Sequence, residues 1–329
     1  MLWVCLATGA HAQKDSLILS NGDIIVGEIK SMNQGVLIVE TPYSDEDFRV
    51  KWIKITEVYS KTRYLITLRD GRRMNSIIVT KSPGVLVIED EDGELEEINI
   101  HNLVFLKSLK AKFWSRVDAN VDVGFSQSRA NHLKQIDLGG SAGYLTDAWG
   151  TNLYYDYSGS SQDSISSTIR EEGGINFKYF LRRDWYILPE ASFLSNTEQA
   201  LKPRTVAKVG VGRYFIHTNR AYWGWVGGLS FNAENFTNET PSRKSAEAYV
   251  GSELNMFDTG DLSLLSNLYF YPSLTESGRI RTDFKFDIKY EFAKDFYVKF
   301  NITYNYDNQP AIQGNETDYV YGFSVGWEL

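Results

Sequence analysis

The sequence predicts an all-β protein: a transmembrane antiparallel β-barrel of about 12 strands, preceded by a duplicated small SH3-like or Sm-like β-module. Two observations lead to this fold class. From about residue 112 to the C-terminus, segments that alternate apolar and polar residues follow one another, joined by alternately short and long connections. Between residues 14 and about 108, a shorter β-rich unit occurs twice.

Charge and hydropathy limit the environment of the chain and its partners. Its 329 residues carry a net charge of -8, and 14% of them are aromatic. Without a basic patch, this acidic balance argues against nucleic acid as a partner. No apolar run reaches the roughly 18 residues that a membrane-spanning helix needs. A barrel is compatible with this composition, because half of each strand faces a polar interior.

The first element is a predicted signal peptide at residues 1–12, with a start that we expect to be truncated. An apolar stretch leads to Ala10-His11-Ala12, a small-x-small cleavage site before Gln13. A lipoprotein reading around Cys5 fits less well, because Val4 stands where a small residue is wanted. Cys5 is the one cysteine, so the mature chain is expected to have no disulfide and no cysteine-ligated metal.

The second element, residues 13–108, contains an internal repeat at about 17–60 and 65–108. Leu19-Ser20-Asn21-Gly22 corresponds to Leu68-Arg69-Asp70-Gly71, and residues 35–40 correspond to 84–89, both at an offset of 49. Asn-Gly and Asp-Gly are strong signals for tight hairpin turns. The repeat predicts either two small barrels or one barrel built from both halves.

Two roles are open for this duplicated module. It could be an adaptor that binds an envelope protein or a peptide through an open strand edge. It could instead be a packed spacer that caps the periplasmic mouth of the barrel. The acidic run from Glu89 to Glu97 could bind Ca²⁺, but it lacks the twelve-residue loop spacing and coincides with a predicted hairpin tip. A solvated turn is the preferred interpretation.

The third element, residues 112–329, contains the alternating segments. An even number of strands, about 12, is typical of bacterial barrels. The strands are predicted to begin near Phe113, Lys134, Thr151, Thr168, Trp185, Thr205, Tyr222, Ser245, Leu262, Arg279, Phe296 and Asp318.

The connections set the orientation of this barrel. Short ones are predicted at 146–148, 182–184, 217–219, 258–260 and 293–295, and long polar ones at 126–133, 158–167, 196–204, 235–243, 276–278 and 308–317. Short turns face the periplasm and long loops face outside. The module and the last strand end are therefore expected on the periplasmic side.

Charged residues on the polar face of each segment are predicted to line the lumen, because a Lys or Arg exposed to lipid at mid-depth costs about 2–4 kcal/mol. The segment from Arg281 to Glu291 carries six alternating charges on one face. These charges could form a narrow selective channel, or a cross-strand ion-pair network that fills the lumen. The latter is preferred because the signs are mixed. The candidates are Asp118, Asp122, Arg170, Glu172, Lys178, Glu190, Glu247, Glu253, Arg281, Asp283, Lys285, Asp287, Lys289 and Glu291.

Catalytic chemistry has little support in the sequence. His132 lies in an outer loop near Ser126, Ser128 and Asp137, which would allow a nucleophile and base at the outer rim. No spacing specifies such a site, and there is no HExxH motif or phosphate loop. We expect a non-enzymatic protein with no cofactor.

The module, the barrel pattern and the terminal segment Gly322 to Leu329 resemble the uncharacterised family labelled salt-induced outer membrane protein. The resemblance implies a bacterial outer-membrane β-barrel, with the N-terminal module in the periplasm of a diderm bacterium, and supplies no activity. The terminal strand also resembles the signal read by the barrel-assembly machinery, with Tyr321, Phe323, Trp327 and Leu329 as its residues. Expected partners are outer-membrane lipid, that machinery, and an envelope protein docking on residues 14–108.

Overall fold

The computed structural model describes residues 15–109, 116–128, 133–162, 165–197, 201–236, 241–259, 261–293, 296–310 and 316–327. Its contacts divide the chain into two units. The first comprises residues 1–66 and 74–110, and the second comprises 67–73 and 111–329. Both are built from β-strands, with three short 3-10 turns in the described residues. None of the helical segments described is long and apolar enough to cross a membrane.

The N-terminal module is one continuous sheet of nine strands. Their order is β4-β3-β2-β1-β5-β6-β7-β8, and β9 pairs with β2 and β5. The two halves of the repeat therefore share a sheet instead of forming two separate barrels. The strands are β1 Asp15–Leu19, β2 Ile24–Asn33, β3 Val36–Glu40, β4 Phe48–Lys51, β5 Ile55–Leu68, β6 Arg73–Ser82, β7 Val85–Glu89, β8 Leu95–Asn99 and β9 Leu103–Ser108.

Equivalent residues of the two halves fill the core of the module. Strands β2 and β6 begin 49 residues apart, as do β3 and β7. Buried apolar side chains recur at that spacing or one residue less, because each half turns the same alternate residues inward. The pairs include Leu17 and Ile66, Ile29 and Ile78, Leu37 and Leu86, Val39 and Ile88, Val50 and Ile98, and Trp52 and Ile100, all at most 9% exposed.

One polar cluster lies inside this core. The Asp15 carboxylate accepts hydrogen bonds from the backbone N–H of Ile29 at 2.9 Å, the Ser60 hydroxyl and the Tyr64 hydroxyl at 3.0 Å. Asp15 and Tyr64 are 49 residues apart, so they occupy equivalent positions in the two halves. Burial, and secondarily the charge of Asp15, raises the pKa of the Tyr64 phenol.

The second unit is a twelve-stranded antiparallel sheet in which every strand follows its sequence neighbour, as predicted. We call β10–β21 the barrel sheet. Within the described residues, its end strands β10 and β21 pair only with β11 and β20. The strands are β10 Val117–Ser128, β11 Leu133–Leu145, β12 Trp149–Gln162, β13 Ile165–Phe180, β14 Trp185–Asn196, β15 Leu201–His217, β16 Ala221–Phe236, β17 Arg243–Thr259, β18 Leu262–Pro272, β19 Ile280–Ala293, β20 Phe296–Asp307 and β21 Thr317–Trp327.

Most predicted strand starts lie within a few residues of the observed ones, but the long loop predicted at 158–167 is wrong. Strand β12 continues to Gln162 and β13 begins at Ile165. In this region Ser160 pairs with Thr168 and their hydroxyls lie 2.5 Å apart. Ladder hydrogen bonds extend the hairpin here although the side chains are small and polar. Phe113, the predicted first strand start, lies outside the described residues, and β10 begins at Val117.

Candidate functional site

The ladder registers place all fourteen predicted lumen residues on one face of the barrel sheet. On β12 and β13, for example, Asp156 pairs with Glu172, and on β16 and β17 Ser230 pairs with Glu247. Directly opposed residues point to the same face of a sheet. Side chains on this face contact one another across two or three strands, as Lys208 of β15 and Tyr271 of β18 do at 3.5 Å. We call it the concave face.

The opposite, convex face is apolar and exposed. Trp225, Leu229 and Phe231 on β16 are 43–54% exposed, and Tyr321, Phe323 and Trp327 on β21 are 55–68% exposed. Isolated soluble domains rarely expose an apolar surface this extensive. Of the four predicted assembly-signal residues, Leu329 lies outside the described residues.

A cluster of tyrosines, which the sequence reading missed, fills part of the concave face. Tyr186, Tyr249 and Tyr271 are at most 5% exposed and form a buried cluster with Val226, against which Tyr214 and Tyr269 pack. We call Tyr186, Tyr214, Tyr249, Tyr269 and Tyr271 the tyrosine wall. Neighbouring rings lie at centroid distances of 5.1 Å for Tyr186 and Tyr214 and 6.0 Å for Tyr249 and Tyr271.

Glycines on the adjacent strands make room for these rings. A Cβ on Gly212 would meet the Tyr186 ring at 2.3 Å, and one on Gly251 would meet the Tyr269 ring at 2.4 Å. The signal was therefore present in the sequence as glycines at polar-face positions. It could not be interpreted without the strand registers that set each glycine beside a tyrosine.

One predicted lumen lysine and one predicted lumen arginine lie against the tyrosine wall. The Lys178 ammonium is 4.4 Å from the Tyr186 ring centre, and the Arg281 guanidinium is 4.9 Å from that of Tyr271. Glu253 accepts a hydrogen bond from the Tyr269 hydroxyl. Burial removes these charged groups from bulk water. The aromatic faces beside the cations and the phenol that donates to the carboxylate stabilise the charges in its place.

Among the ion pairs of the described residues, the most buried one joins β17 and β19. Glu247 is completely buried, and Arg281 donates to its two oxygens at 2.9 and 2.6 Å. Asn232 donates to the same carboxylate at 2.8 Å. Close by in sequence, Arg279 is 3% exposed and bridges Glu276 and Asp307, each at 2.6 Å. These contacts are the kind of cross-strand network that the mixed charges predicted.

The rest of the β19 charge ladder is arranged differently from that prediction. Lys285 lies 3.7 Å from Asp287, and Lys289 lies 2.8 Å from Glu291, so both ion pairs join residues of the same strand. Residues two apart on a strand share a face, which places them within reach of each other. Lys285 and Asp287 are about half exposed, unlike Arg281 and Glu247.

Strands β10–β13 form a more open, acidic part of the concave face, which we call the acidic wall. A cavity of about 510 Å³ lies against it. The carboxylates that line this cavity belong to Asp122, Asp137, Asp156 and Glu172. Arg170, the cation of this lining, is paired with Glu172. Asp118, the remaining predicted lumen residue of β10, is exposed on the same face.

Of the residues considered for catalysis, Asp137 lies in the described part of the chain and is engaged by neighbouring polar side chains. Asp137 accepts hydrogen bonds from Ser158 at 2.7 Å and from Gln135 at 3.0 Å. His132 lies outside the described residues, as do Cys5 and the predicted signal peptide. No cluster of His, Cys, Asp and Glu in the described part of the chain has a geometry suited to a metal ion.

The acidic run considered for Ca²⁺ binding extends from the last residue of β7 through a hairpin turn into β8. The Asp90 carboxylate accepts hydrogen bonds from the backbone N–H groups of Asp92 and Glu94, both at 2.9 Å. Gly93 supplies the positive φ of 80° that the turn requires. The carboxylate at the start of the run is thus used to hold the turn.

Comparison with known proteins gives a family for the barrel sheet. A solved NanC porin is 14% identical, and the similarity covers 64% of this chain and 100% of the porin chain with a TM-score of 0.35. No curated protein matches the chain. The profile of the family described as "Protein of unknown function, DUF481" matches residues 121–328, and the chain belongs to this family.

Proposed function

We propose that this chain is a non-enzymatic outer-membrane β-barrel protein whose barrel is a non-conducting scaffold and whose N-terminal module docks a partner in the periplasm. The apolar convex face supports a location in lipid, since its large side chains would otherwise face water. Period-two alternation over twelve strands, with a charged opposite face, supports a barrel that crosses the membrane.

The observation that carries the scaffold role is the tyrosine wall with its ion pairs. Side chains from six strands, β13 to β15 and β17 to β19, contact one another across the concave face. Solute passage along this part of the lumen would require moving Tyr249 and Tyr271, which pack against each other and against Val226. Packed interiors resist such rearrangement.

Planar-bilayer recording tests this role. We expect the wild-type protein to give no steady unitary current. Replacing Tyr186, Tyr249 and Tyr271 together by Ala should produce steps, because three buried rings are removed from the lumen. The control is Tyr319→Ala, which removes one ring from the convex face, where Tyr319 is 59% exposed. Both proteins must first show heat-modifiable migration, and steady wild-type openings would contradict the proposal.

A narrow passive channel is the second candidate, and the acidic wall is the observation that favours it. Four carboxylates with one paired arginine would make the cavity attractive to cations. In a KCl gradient, such a channel would show a reversal potential displaced toward that of K⁺. Replacing Asp122 and Asp156 by Asn should abolish the displacement, whereas the scaffold role predicts no current to measure.

The non-enzymatic part of the proposal concerns the outer-loop residues. A loop-site lipase or acyltransferase would need a nucleophile such as Ser126 or Ser128 with His132 as the base. We expect no hydrolysis of a phospholipid by the purified protein. Hydrolysis that disappears in a His132→Ala variant and persists in His217→Ala would establish the enzymatic alternative.

A further inference from the structure

The module has two open strand edges that are equivalent to each other. Within the described residues, β4 pairs only with β3 and β8 only with β7. Val50 of β4 lies opposite Leu37, and Ile98 of β8 lies opposite Leu86, so the two edges occupy the same place in the two halves of the repeat. An open edge offers backbone N–H and C=O groups to another strand.

The two edges carry opposite charges. Strand β4 presents Arg49 and Lys51, which flank the buried Val50, and both are exposed. Strand β8 presents Glu96 and Glu97, also exposed, beside the buried Ile98, and Glu97 is paired with Lys81 of β6. Neither strand contains a charge of the other sign. Duplication has therefore left one basic edge and one acidic edge on the same sheet.

Exposed apolar side chains accompany both edges. Phe48 of β4 is 41% exposed and packs at 6.2 Å from the ring of Tyr43, which is 65% exposed. Leu95, at the start of β8, is 70% exposed. Burying these side chains against a partner would add an apolar contribution to the pairing of the edges.

The residues that would face each other across the seam favour pairing of the basic β4 edge with the acidic β8 edge. If β4 runs antiparallel to β8 with Val50 opposite Ile98, Arg49 lies opposite Asn99 and Lys51 lies opposite Glu97, where it becomes a second cation beside Lys81. Pairing β4 with a second β4 about Val50 places Arg49 opposite Lys51 twice. Pairing β8 with a second β8 about Ile98 places Glu97 opposite Asn99 twice, so four glutamates share one seam and the facing strand supplies no cation. Opposite charges stabilise a cross-strand pair, and like charges destabilise it.

We propose that the β4 edge of one copy of this chain adds to the β8 edge of a second copy, which makes an antiparallel sheet continuous across two modules. This inference rests on the docking role under Proposed function and names its partner as another copy. Because the two surfaces differ, the contact is heterologous and extends into rings or rows of copies. The scaffold role of the barrel is tested separately, by conductance, and does not depend on it.

Charge exchange on the full-length protein in detergent micelles tests the proposal. One variant carries Arg49→Glu and Lys51→Glu, which makes both of its edges acidic. The other carries Glu96→Lys and Glu97→Lys, which makes both edges basic. Analytical ultracentrifugation should show association of the wild type, at least tenfold weaker association of each variant alone, and recovery in the equimolar mixture. The changed residues are exposed, and Glu97→Lys also removes the ion pair with Lys81. Heat-modifiable migration checks that the barrel folds, and recovery of association in the mixture shows that the module of each variant folds.

Disulfide formation checks the register in a Cys5→Ser background. Protein with Lys51→Cys mixed with protein carrying Glu97→Cys should give a covalent dimer on mild oxidation, and neither should do so alone. A wild type that remains monomeric at every concentration would overturn the proposal. The edge charges would then be interpreted as residues that prevent edge-to-edge pairing. Variants that associate as well alone as when mixed would also overturn it.

Discussion

Removal of the Arg281 guanidinium is expected to destabilise the barrel sheet more than removal of any other charge on β19. Arg281 makes two hydrogen bonds to Glu247, at 2.9 and 2.6 Å, and Glu247 is completely buried. In Arg281→Ala this carboxylate keeps only Asn232 as a side-chain donor among its described contacts. Breaking a buried pair by removing one partner costs about 3–5 kcal/mol.

Urea unfolding in micelles measures this cost, followed by tryptophan fluorescence and by migration of unheated samples on gels. For an m-value of about 2 kcal/mol/M, the midpoint should fall by roughly 1.5–2.5 M. Lys285→Ala is the matched control on the same strand. Its ion pair with Asp287 is 3.7 Å long and about half exposed, so the change should cost less than about 1 kcal/mol.

A double variant separates the ion pair from the packing. Arg281→Met with Glu247→Leu removes both charges and keeps most of the volume. Apolar replacement of a buried pair is often neutral or stabilising, so the double variant should recover most of the stability lost in Arg281→Ala. Equal midpoints for Arg281→Ala and Lys285→Ala would refute the burial argument.

The remaining predictions concern one close strand contact and one buried phenol. Gly228→Ala should lower the unfolding free energy by about 1–3 kcal/mol, because the added Cβ would lie 2.0 Å from the Val209 carbonyl oxygen. The control Gly227→Ala should be tolerated, because the closest atom to its added Cβ is 3.5 Å away. Equal effects of the two changes would contradict the register. Tyr64→Phe should cost about 1–2 kcal/mol at neutral pH by removing the hydrogen bond to Asp15. Because the folded-state pKa of Tyr64 is raised, its neutral phenol stabilises the fold below pH ~10, and that stability is lost as the pH rises further. The alkaline loss should be absent in Tyr64→Phe, and its persistence there would assign it to another group.

Period-two alternation was enough to predict the twelve strands and the faces of their charges, because a strand puts every second residue on one side. It failed between Ser158 and Ser167, where backbone ladder bonds extend a hairpin that has few apolar side chains. The alternation also did not predict the tyrosine wall, because aromatic residues in a barrel are expected at its rims.

Contacts between side chains of non-adjacent strands could not be predicted from the sequence either. Arg281 and Glu247 belong to strands separated by β18, and they meet because both side chains lie on the concave face and reach across that strand. In the module, the repeat was visible as matched turns and apolar runs. Its two opposite edges became comparable only when Val50 and Ile98 were seen at the same position in the sheet.

Single-channel recording of the wild-type protein in planar bilayers tests the central claim most directly, since that claim is a lumen obstructed by the tyrosine wall and its ion pairs. At neutral pH and moderate voltage, inserted protein should leave the bilayer at baseline conductance, without steady unitary steps. Sustained steps of uniform size, absent when the protein is heat-unfolded before insertion, would contradict the account.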